Sequence, residues 1–514
     1  MHLLALLLLV LLSHLSTPMT ISAQTSADLQ RAIDNSTDRT ARAKLYKQLG
    51  DLWVAQDKLE PAADAYLRAL DNGRESFAPM ERVQIAIYLS WADRLNESEN
   101  ELRALLKQEP KNLVARTHLA RVLAWSGELA EGIAEANTVL RDSPEHKDAL
   151  LVKADALQWQ GRYLEAVPIY RKLVARDGDF DARVGLSRSL LALGSRTEAL
   201  ENLHSLKVNN GRQQRELAKL TDAIDQETRP TVDGRYNYYS DSDRNRLDRY
   251  SLTSGFWLGD QKLGFTFRHT EAADKTRSNR AEDLSVKTYG RLTDRISVGL
   301  GLGVSVLRDR HTSSFPSGHV RLDARVFGGT VGADITREVL SDTAELIENR
   351  IRLTAIGINF NQPITDRVSV SGNYHYKDFS DGNHANDLQL VAQYALYLTP
   401  RIVVGHRFRL LDFHKQSQSG FFDPSNYVAN RAFASLYYEH RLFYTYLEGY
   451  VGYQTFRRNR VASNDIIHGG TGSVGIKPMT NLAIEVNVEG GNFAAASASG
   501  FNYLVIGPRI LYRF

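Results

Sequence analysis

Up to about Pro230, apolar residues recur every third or fourth position; beyond it they alternate one by one as far as Phe514. A stretch of helical period cannot settle as strands, so the change of period divides the chain into a helical half and a strand half. Helix pairs are predicted before Pro230. After it, segments of about ten residues with alternating faces are separated by Gly, Asn, Asp and Ser clusters.

In the helical half, Trp91, Trp125 and Trp159 stand 34 residues apart, as do Pro110 and Pro144, and Gly127 and Gly161. That period is the length of a tetratricopeptide unit, a helix-turn-helix repeat. Ala124 to Glu131 aligns with Gln158 to Glu165, and the glycine falls where the first helix must turn into the second. Leu49-Gly50, Trp53, Ala62, Tyr66 and Ala69 supply the small and aromatic pattern of an earlier copy, and Leu190, Ala192, Gly194, Ala199 and Leu200 a degenerate fifth. About five units are expected between residues 27 and 228, closed by a polar capping helix from Arg212 to Glu227. Trp53, Trp91, Trp125, Trp159, Gly127, Gly161, Ala62 and Tyr66 are expected to form the repeat core, the tryptophans packing between helices. Such arrays offer an extended concave surface, usually to another protein.

The strand half carries the dyad pattern of an outer-membrane barrel. Leu482, Ile484, Val486 and Val488 share one face, with Glu485, Asn487 and Glu489 on the other. Val320, Leu322, Ala324 and Val326 oppose Arg321, Asp323, Arg325 and Phe327, and Ile402, Val404, Phe408 and Leu410 oppose Arg401, Arg407 and Arg409. Ser297, Gly299, Gly301 and Gly303 oppose Ile296, Val298, Leu300, Leu302 and Val304. Short turns such as Gly259-Asp260, Thr293-Asp294 and Gly328-Gly329 favour an up-and-down barrel over a soluble sandwich. So do aromatics gathered near strand ends, Tyr236-Tyr238-Tyr239, Tyr374-Tyr376 and Tyr437-Tyr438, where an interfacial girdle would lie. About sixteen strands are expected, with fourteen as the alternative, and a barrel of that size has a water-filled lumen. Charged groups facing lipid would cost roughly 2–4 kcal/mol each at the midplane, so Arg321, Asp323, Arg325, Asp334, Arg407, Arg409, Glu448, Glu485 and Glu489 are expected to line the pore, with Asn487, Tyr444, Tyr446 and Tyr450.

The predicted class is therefore a multidomain α and β chain: an N-terminal all-α tetratricopeptide solenoid, then an antiparallel transmembrane β-barrel. Leu3 to Leu12 is an apolar run followed by a polar stretch and Ile21-Ser22-Ala23, the form of a secretory signal peptide cut after Ala23. The n-region carries no Lys or Arg, which leaves open whether Met1 is the true start. The expected domains are 1–23, signal peptide; 24–228, repeats; and 229–514, barrel. The formal net charge of +3 in 514 residues does not imply nucleic acid, and the absence of cysteine removes thiolate metal sites, thiol catalysis, disulfides and a cysteine-linked lipid anchor.

Three short motifs suggest chemistry. Pro316-Ser317-Gly318-His319 matches a phosphatase fragment, but its companion segments are missing and it is expected in a loop opening a strand. Gly470, Gly472 and Gly475 spell a dinucleotide fingerprint with no helix after it, so they are expected to serve barrel curvature. His375, near Lys377, is expected in the lumen or girdle rather than on a metal. No catalytic, metal or cofactor site is expected, and inward arginines can serve either as wall-holding charge ladders or as forks for carboxylate and phosphate.

Tyr376-Lys377-Asp378-Phe379-Ser380-Asp381-Gly382-Asn383, a strand running into a turn, resembles a recurrent hairpin of the outer-membrane exporters of exopolysaccharides, as does Tyr238-Tyr239-Ser240-Asp241-Ser242-Asp243. This group includes the poly-N-acetylglucosamine export porin, the C subunit of bacterial cellulose synthase and the YaiO-type barrels. The architecture of signal peptide, repeats and barrel resembles it over the whole mature chain. The last strand, with Leu504, Ile506, Ile510, Tyr512 and Phe514 on one face, resembles the terminal signal read by the barrel assembly machinery. The resemblance implies a monomeric, non-enzymatic porin for a biofilm-type polysaccharide, set in outer-membrane lipid. Its repeats would lie in the periplasm and dock a polymer-modifying enzyme or synthase subunit. The alternatives are a non-transporting receptor or assembly scaffold, which a plugged lumen would favour, and a hydrolase or acyltransferase using Ser317 and His319.

Overall fold

The computed structural model describes residues 25–417, 419–458, 461–493 and 501–514. The expected signal peptide lies outside them. The chain forms two compact units, one built mainly from the helices and the other containing all the strands.

The helical unit opens with α1 (Ser26–Asn35), whose N-terminus is closed by a Thr25–Asp28 capping box. Helix pairs then follow: α2 (Arg39–Ala55) with α3 (Leu59–Gly73), α4 (Pro79–Trp91) with α5 (Leu95–Gln108), and α6 (Leu113–Trp125) with α7 (Leu129–Asp142). Next come α8 (Lys147–Trp159) with α9 (Tyr163–Asp177), α10 (Phe180–Ala192) with α11 (Arg196–His204), and a last helix, α12 (Gly211–Thr228). The turn inside each pair contains one residue of positive φ: Asp57 (60°), Asp93 (62°), Gly127 (87°), Gly161 (76°) and Gly194 (80°). Glycine reaches that region freely and aspartate tolerates it, so five turns of one shape arise from two residue types.

Ala62 and Tyr66 are fully buried, and the Tyr66 ring fills the space a side chain on Gly50 would need, 2.6 Å from its missing Cβ. Tyr66 Oη donates to Asp51 at 2.8 Å. Tyr170 repeats the device in the fourth pair, donating to Asp155 at 2.6 Å. The tryptophan ladder is not core. Trp91, Trp125 and Trp159 are the last residues of α4, α6 and α8 and are 37%, 43% and 47% exposed. The buried positions lie two residues earlier, at Leu89, Leu123 and Leu157, about 200° round the helix, and the larger rings project where each helix ends. Trp53 is partly buried, with Lys58 Nζ 4.5 Å above its ring.

Sixteen antiparallel strands close on themselves, β1 (Thr231–Ser240) pairing with both β2 (Arg246–Leu258) and β16 (Tyr503–Arg513). Between them lie β3 (Gln261–Ala273), β4 (Ser278–Arg291), β5 (Ile296–Arg308), β6 (Thr312–Val326), β7 (Gly329–Val339), β8 (Arg352–Pro363) and β9 (Val368–Phe379). Then follow β10 (His384–Leu398), β11 (Arg401–Phe413), β12 (Ser425–Glu439), β13 (Phe443–Arg458), β14 (Val461–Met479) and β15 (Leu482–Gly491). An even count returns Phe514 to the end where Thr231 begins, and the connections at that end are short. The opposite end holds longer ones, 340–351 among them.

Leu252, Leu284, Leu302, Val320, Ile358, Leu447, Ile466, Val474, Val486 and Ile510 are all between 47% and 77% exposed, alternating with polar or glycine positions. An exposed apolar band of this extent is what lipid stabilises and water does not. The barrel is of the outer-membrane type. No helix among the described residues is long and apolar enough to cross a membrane. Ile510, Tyr512 and Phe514 belong to this outward face. Tyr374, Tyr376 and Tyr438 also point outward, whereas Tyr239, expected in the girdle, packs inward and stacks with Tyr503 at 6.3 Å. Phe327 is not inward either: it is 92% exposed in the β6–β7 turn at a φ of 50°.

Candidate functional site

The inward positions of the barrel strands bring most of the candidate pore residues into hydrogen-bonded groups. On β11 and β13, the Arg407 guanidinium grips Glu448 bidentately, its Nη2 donating at 2.8 Å, and Tyr446 Oη adds a third bond at 2.6 Å. On β10 and β11, Arg409 donates twice to Asp387, at 3.0 and 2.9 Å, and Lys377 of β9 joins the same carboxylate at 2.8 Å. Tyr444 donates to Glu485 at 2.7 Å and Tyr503 to Glu489 at 2.7 Å. Arg321 pairs with Asp323 at 2.7 Å, and His375 Nε2 lies 3.4 Å from Asp334. Arg509 and Arg235 converge on Asp233 at the terminus end. Asn487 faces inward beside Gly507, Tyr450 lies beside Phe493, and Arg325 lies on the β6 face that carries Arg321 and Asp323.

Glycines make room for these groups. A Cβ on Gly475 would lie 2.2 Å from the Tyr444 ring, and one on Gly469 would lie 2.1 Å from the Tyr450 hydroxyl. Gly470, Gly472 and Gly475 all lie within β14, where no helix follows. Gly301 likewise clears space for His319 and Gly303 for Ser317. These two residues therefore stand in the middle of β6, not in a loop opening a strand. Pro316 is tolerated there because β6 pairs with β7 only from Gly318 onward, so a missing N–H on that side breaks no ladder.

At the long-loop end, two connections fold inward. The first, 340–351, forms a short helix, α13 (Ala344–Glu348), whose Leu346 and Ile347 are fully buried. Ile347 packs with Leu247, Ala272, Ala281 and Leu307 of β2 to β5. Polar contacts fasten the segment: Asn279 to the Ala344 carbonyl at 2.7 Å, Arg249 to Asp342 at 2.9 Å, Arg277 to Glu348 at 2.7 Å and Arg350 to Asp309 at 2.8 Å. The second, 414–424, inserts Phe421 against Phe379 at 4.7 Å and Phe422 against Phe456 at 5.3 Å. Arg458 reaches Asp423 at 3.2 Å. Burial pushes the Asp423 carboxyl above its usual range, against the pull of the Ser417 amide and Arg458. The two loops meet where Asn349 donates to the Ser419 carbonyl at 3.1 Å. Together they cover inward side chains of β2 to β5 and of β8 to β14.

The chain matches no protein-family model and no curated protein. Among solved structures it is similar to one described as a bacterial polysaccharide outer membrane secretin, at 12% identity and a TM-score of 0.43, over 55% of this chain and 98% of that one. It is similar to CdiB from Acinetobacter baumannii at 10% identity and a TM-score of 0.38, over 55% of this chain and 60% of that one. A tetratricopeptide repeat protein from Parabacteroides merdae shares 16% identity over 39% of this chain and 78% of its own, at a TM-score of 0.35.

Several residues of the lumen gave no sequence signal: Asp387, Arg431, Arg509, Tyr503 and the inward phenylalanines. The hairpin Tyr376 to Asn383 does carry structure. Asn383, fully buried, donates to the Lys415 carbonyl at 2.7 Å, and Asp381 accepts from Ser419 at 2.6 Å, so this turn anchors the second loop. No cluster of metal-ligating side chains occurs among the described residues.

Proposed function

We propose that the protein is an outer-membrane porin that exports an exopolysaccharide from the periplasm to the cell surface, with no catalytic step of its own. The repeat domain would lie in the periplasm and dock a polymer-modifying enzyme or synthase subunit, or guide the polymer. The observation that carries this reading is the inner wall: a sixteen-stranded barrel is too wide for side chains to fill, and its inward face presents serial tyrosines beside charged pairs. Tyrosine rings offer weak stacking faces to sugars, and weak contacts in series permit release. The inward-folded loops act in this reading as a lid that opens for the chain. Deleting the gene should abolish surface polysaccharide, and the full-length protein should conduct in planar bilayers once the lid is loosened. Unchanged polysaccharide together with no conductance contradicts the proposal.

The two loops favour a second reading, a receptor or assembly scaffold whose barrel is chiefly an anchor. The readings separate in lid variants. A variant that conducts in bilayers and changes polymer output supports export, whereas one that conducts without any change in output supports the scaffold.

A further inference from the structure

Arg431 stands on the inward face of β12, directly opposite Arg407 of β11. Like charges facing each other across a strand pair destabilise it, and a nearby anion offsets that cost. Arg407 is bonded to an anion; among the described residues Arg431 is bonded to none. Glu448 is occupied by both Arg407 nitrogens and by Tyr446, and Asp387 by Arg409 and Lys377. On this stretch of wall two carboxylates serve Arg407, Arg409 and Lys377, leaving Arg431 over. No ion pair or hydrogen bond of the Arg431 side chain occurs among the described residues, and its Nε is buried without a partner.

The surroundings hold the group in place. The guanidinium lies 4.9 Å from the Phe493 ring and 5.5 Å from the Tyr450 ring. Ring contacts engage the faces of a guanidinium and leave its N–H edges unspent. Across on β13 stands Gly452, where a Cβ would come 2.8 Å from the Arg431 Cα and 2.9 Å from its Cγ. Only glycine at that position leaves room for the Arg431 stem. Arg407 lies 4.1 Å over Phe433, so cations and aromatic rings are interleaved along the wall.

We propose that Arg431 is the centre of an oxyanion site that takes the acidic group of a polysaccharide segment, the aromatic rings beside it taking the sugar face. This rests on the export reading and adds a substrate class to it: an acidic glycan rather than a neutral one. The two Nη groups of a guanidinium fit a carboxylate or a phosphate bidentately.

The test uses purified full-length protein as wild type, Arg431→Gln and Arg431→Lys, each shown folded by heat-modifiable migration. Calorimetric titration compares trigalacturonate, the neutral maltotriose, and glucose 6-phosphate as a phosphate probe. The wild type is expected to prefer trigalacturonate to maltotriose at least tenfold, with a preference that weakens as salt is raised. Arg431→Gln should lose the preference, and Arg431→Lys should keep part of it. Discrimination by glucose 6-phosphate alone would assign the site to phosphate instead of carboxylate. Equal binding of both trisaccharides by the wild type, or full preference in Arg431→Gln, overturns the site. Either result leaves the conduit standing if gene deletion still removes surface polymer.

Discussion

Asp155 accepts the Tyr170 hydroxyl in the fourth helix pair, and burial pushes its carboxyl up to about 7. Its unfolded value is about 3.9, so the folded chain holds an extra proton between the two. The stability this group contributes is fully present below about pH 4 and is lost as pH rises through 7. Asp155→Asn keeps an acceptor for Tyr170 and removes the titration. The melting midpoint of its helical signal should exceed that of the wild type by a margin that grows from pH 4 to pH 8; a constant margin would refute this. His118 works in the other direction. Burial, aided by Arg121, holds it down at about 3, so from about pH 6.5 downward it withdraws stability, and the two groups offset each other between about pH 4 and 6.5. At this scale the sequence was readable wherever backbone shape set the residue. Gly127 and Gly161 mark their turns, but Asp57 and Asp93 make the same turn without a glycine to announce it. The Trp ladder misled because its 34-residue spacing reports equivalence of position, not depth.

The strands β5, β6, β11 and β15 were legible because period-two alternation under a membrane constraint fixes which side chain faces which way. The inward-folded loops were not. Phe421 and Phe422 are adjacent, in a segment with no period, and adjacent apolar residues in a connection do not say which wall they will meet. Their burial supplies the prediction for the lid. Phe421→Ala removes a ring stacked on Phe379, at a cost of about 3–5 kcal/mol for a buried aromatic, and Arg458→Met removes the partner of the buried Asp423. Each should raise single-channel conductance and opening frequency in planar bilayers over the wild type while leaving the barrel heat-modifiable. Conductance identical to wild type in both variants would show that these loops do not restrict the lumen.

Across the whole molecule, the change of period near Pro230 falls between α12, which ends at Thr228, and β1, which begins at Thr231. A closed sheet has no edges, so all sixteen strands depend on β1 meeting β16, where Phe514 N–H reaches the Pro230 carbonyl at 3.0 Å. Deleting Phe514 removes that bond and the outward ring 4.9 Å from Tyr512. The fraction of chain reaching the outer membrane as a heat-modifiable barrel should fall; unchanged yield would show that the terminal aromatic is dispensable. Charge balance along the lumen was beyond the sequence, since it depends on whether an arginine finds its carboxylate on its own strand, as Arg321 does, on the next, as Arg409 does, or two strands away, as Arg407 does. Export itself is tested most directly by fastening the two loops to each other. The chain has no cysteine, so Asn349→Cys with Ser419→Cys provides a single pair where the loops meet, to be joined in living cells by a short, reducible thiol crosslinker. Surface polysaccharide should drop to the level of the deletion strain when the pair is joined and return when the linker is reduced. Undiminished polysaccharide on fully crosslinked cells would contradict export through this barrel.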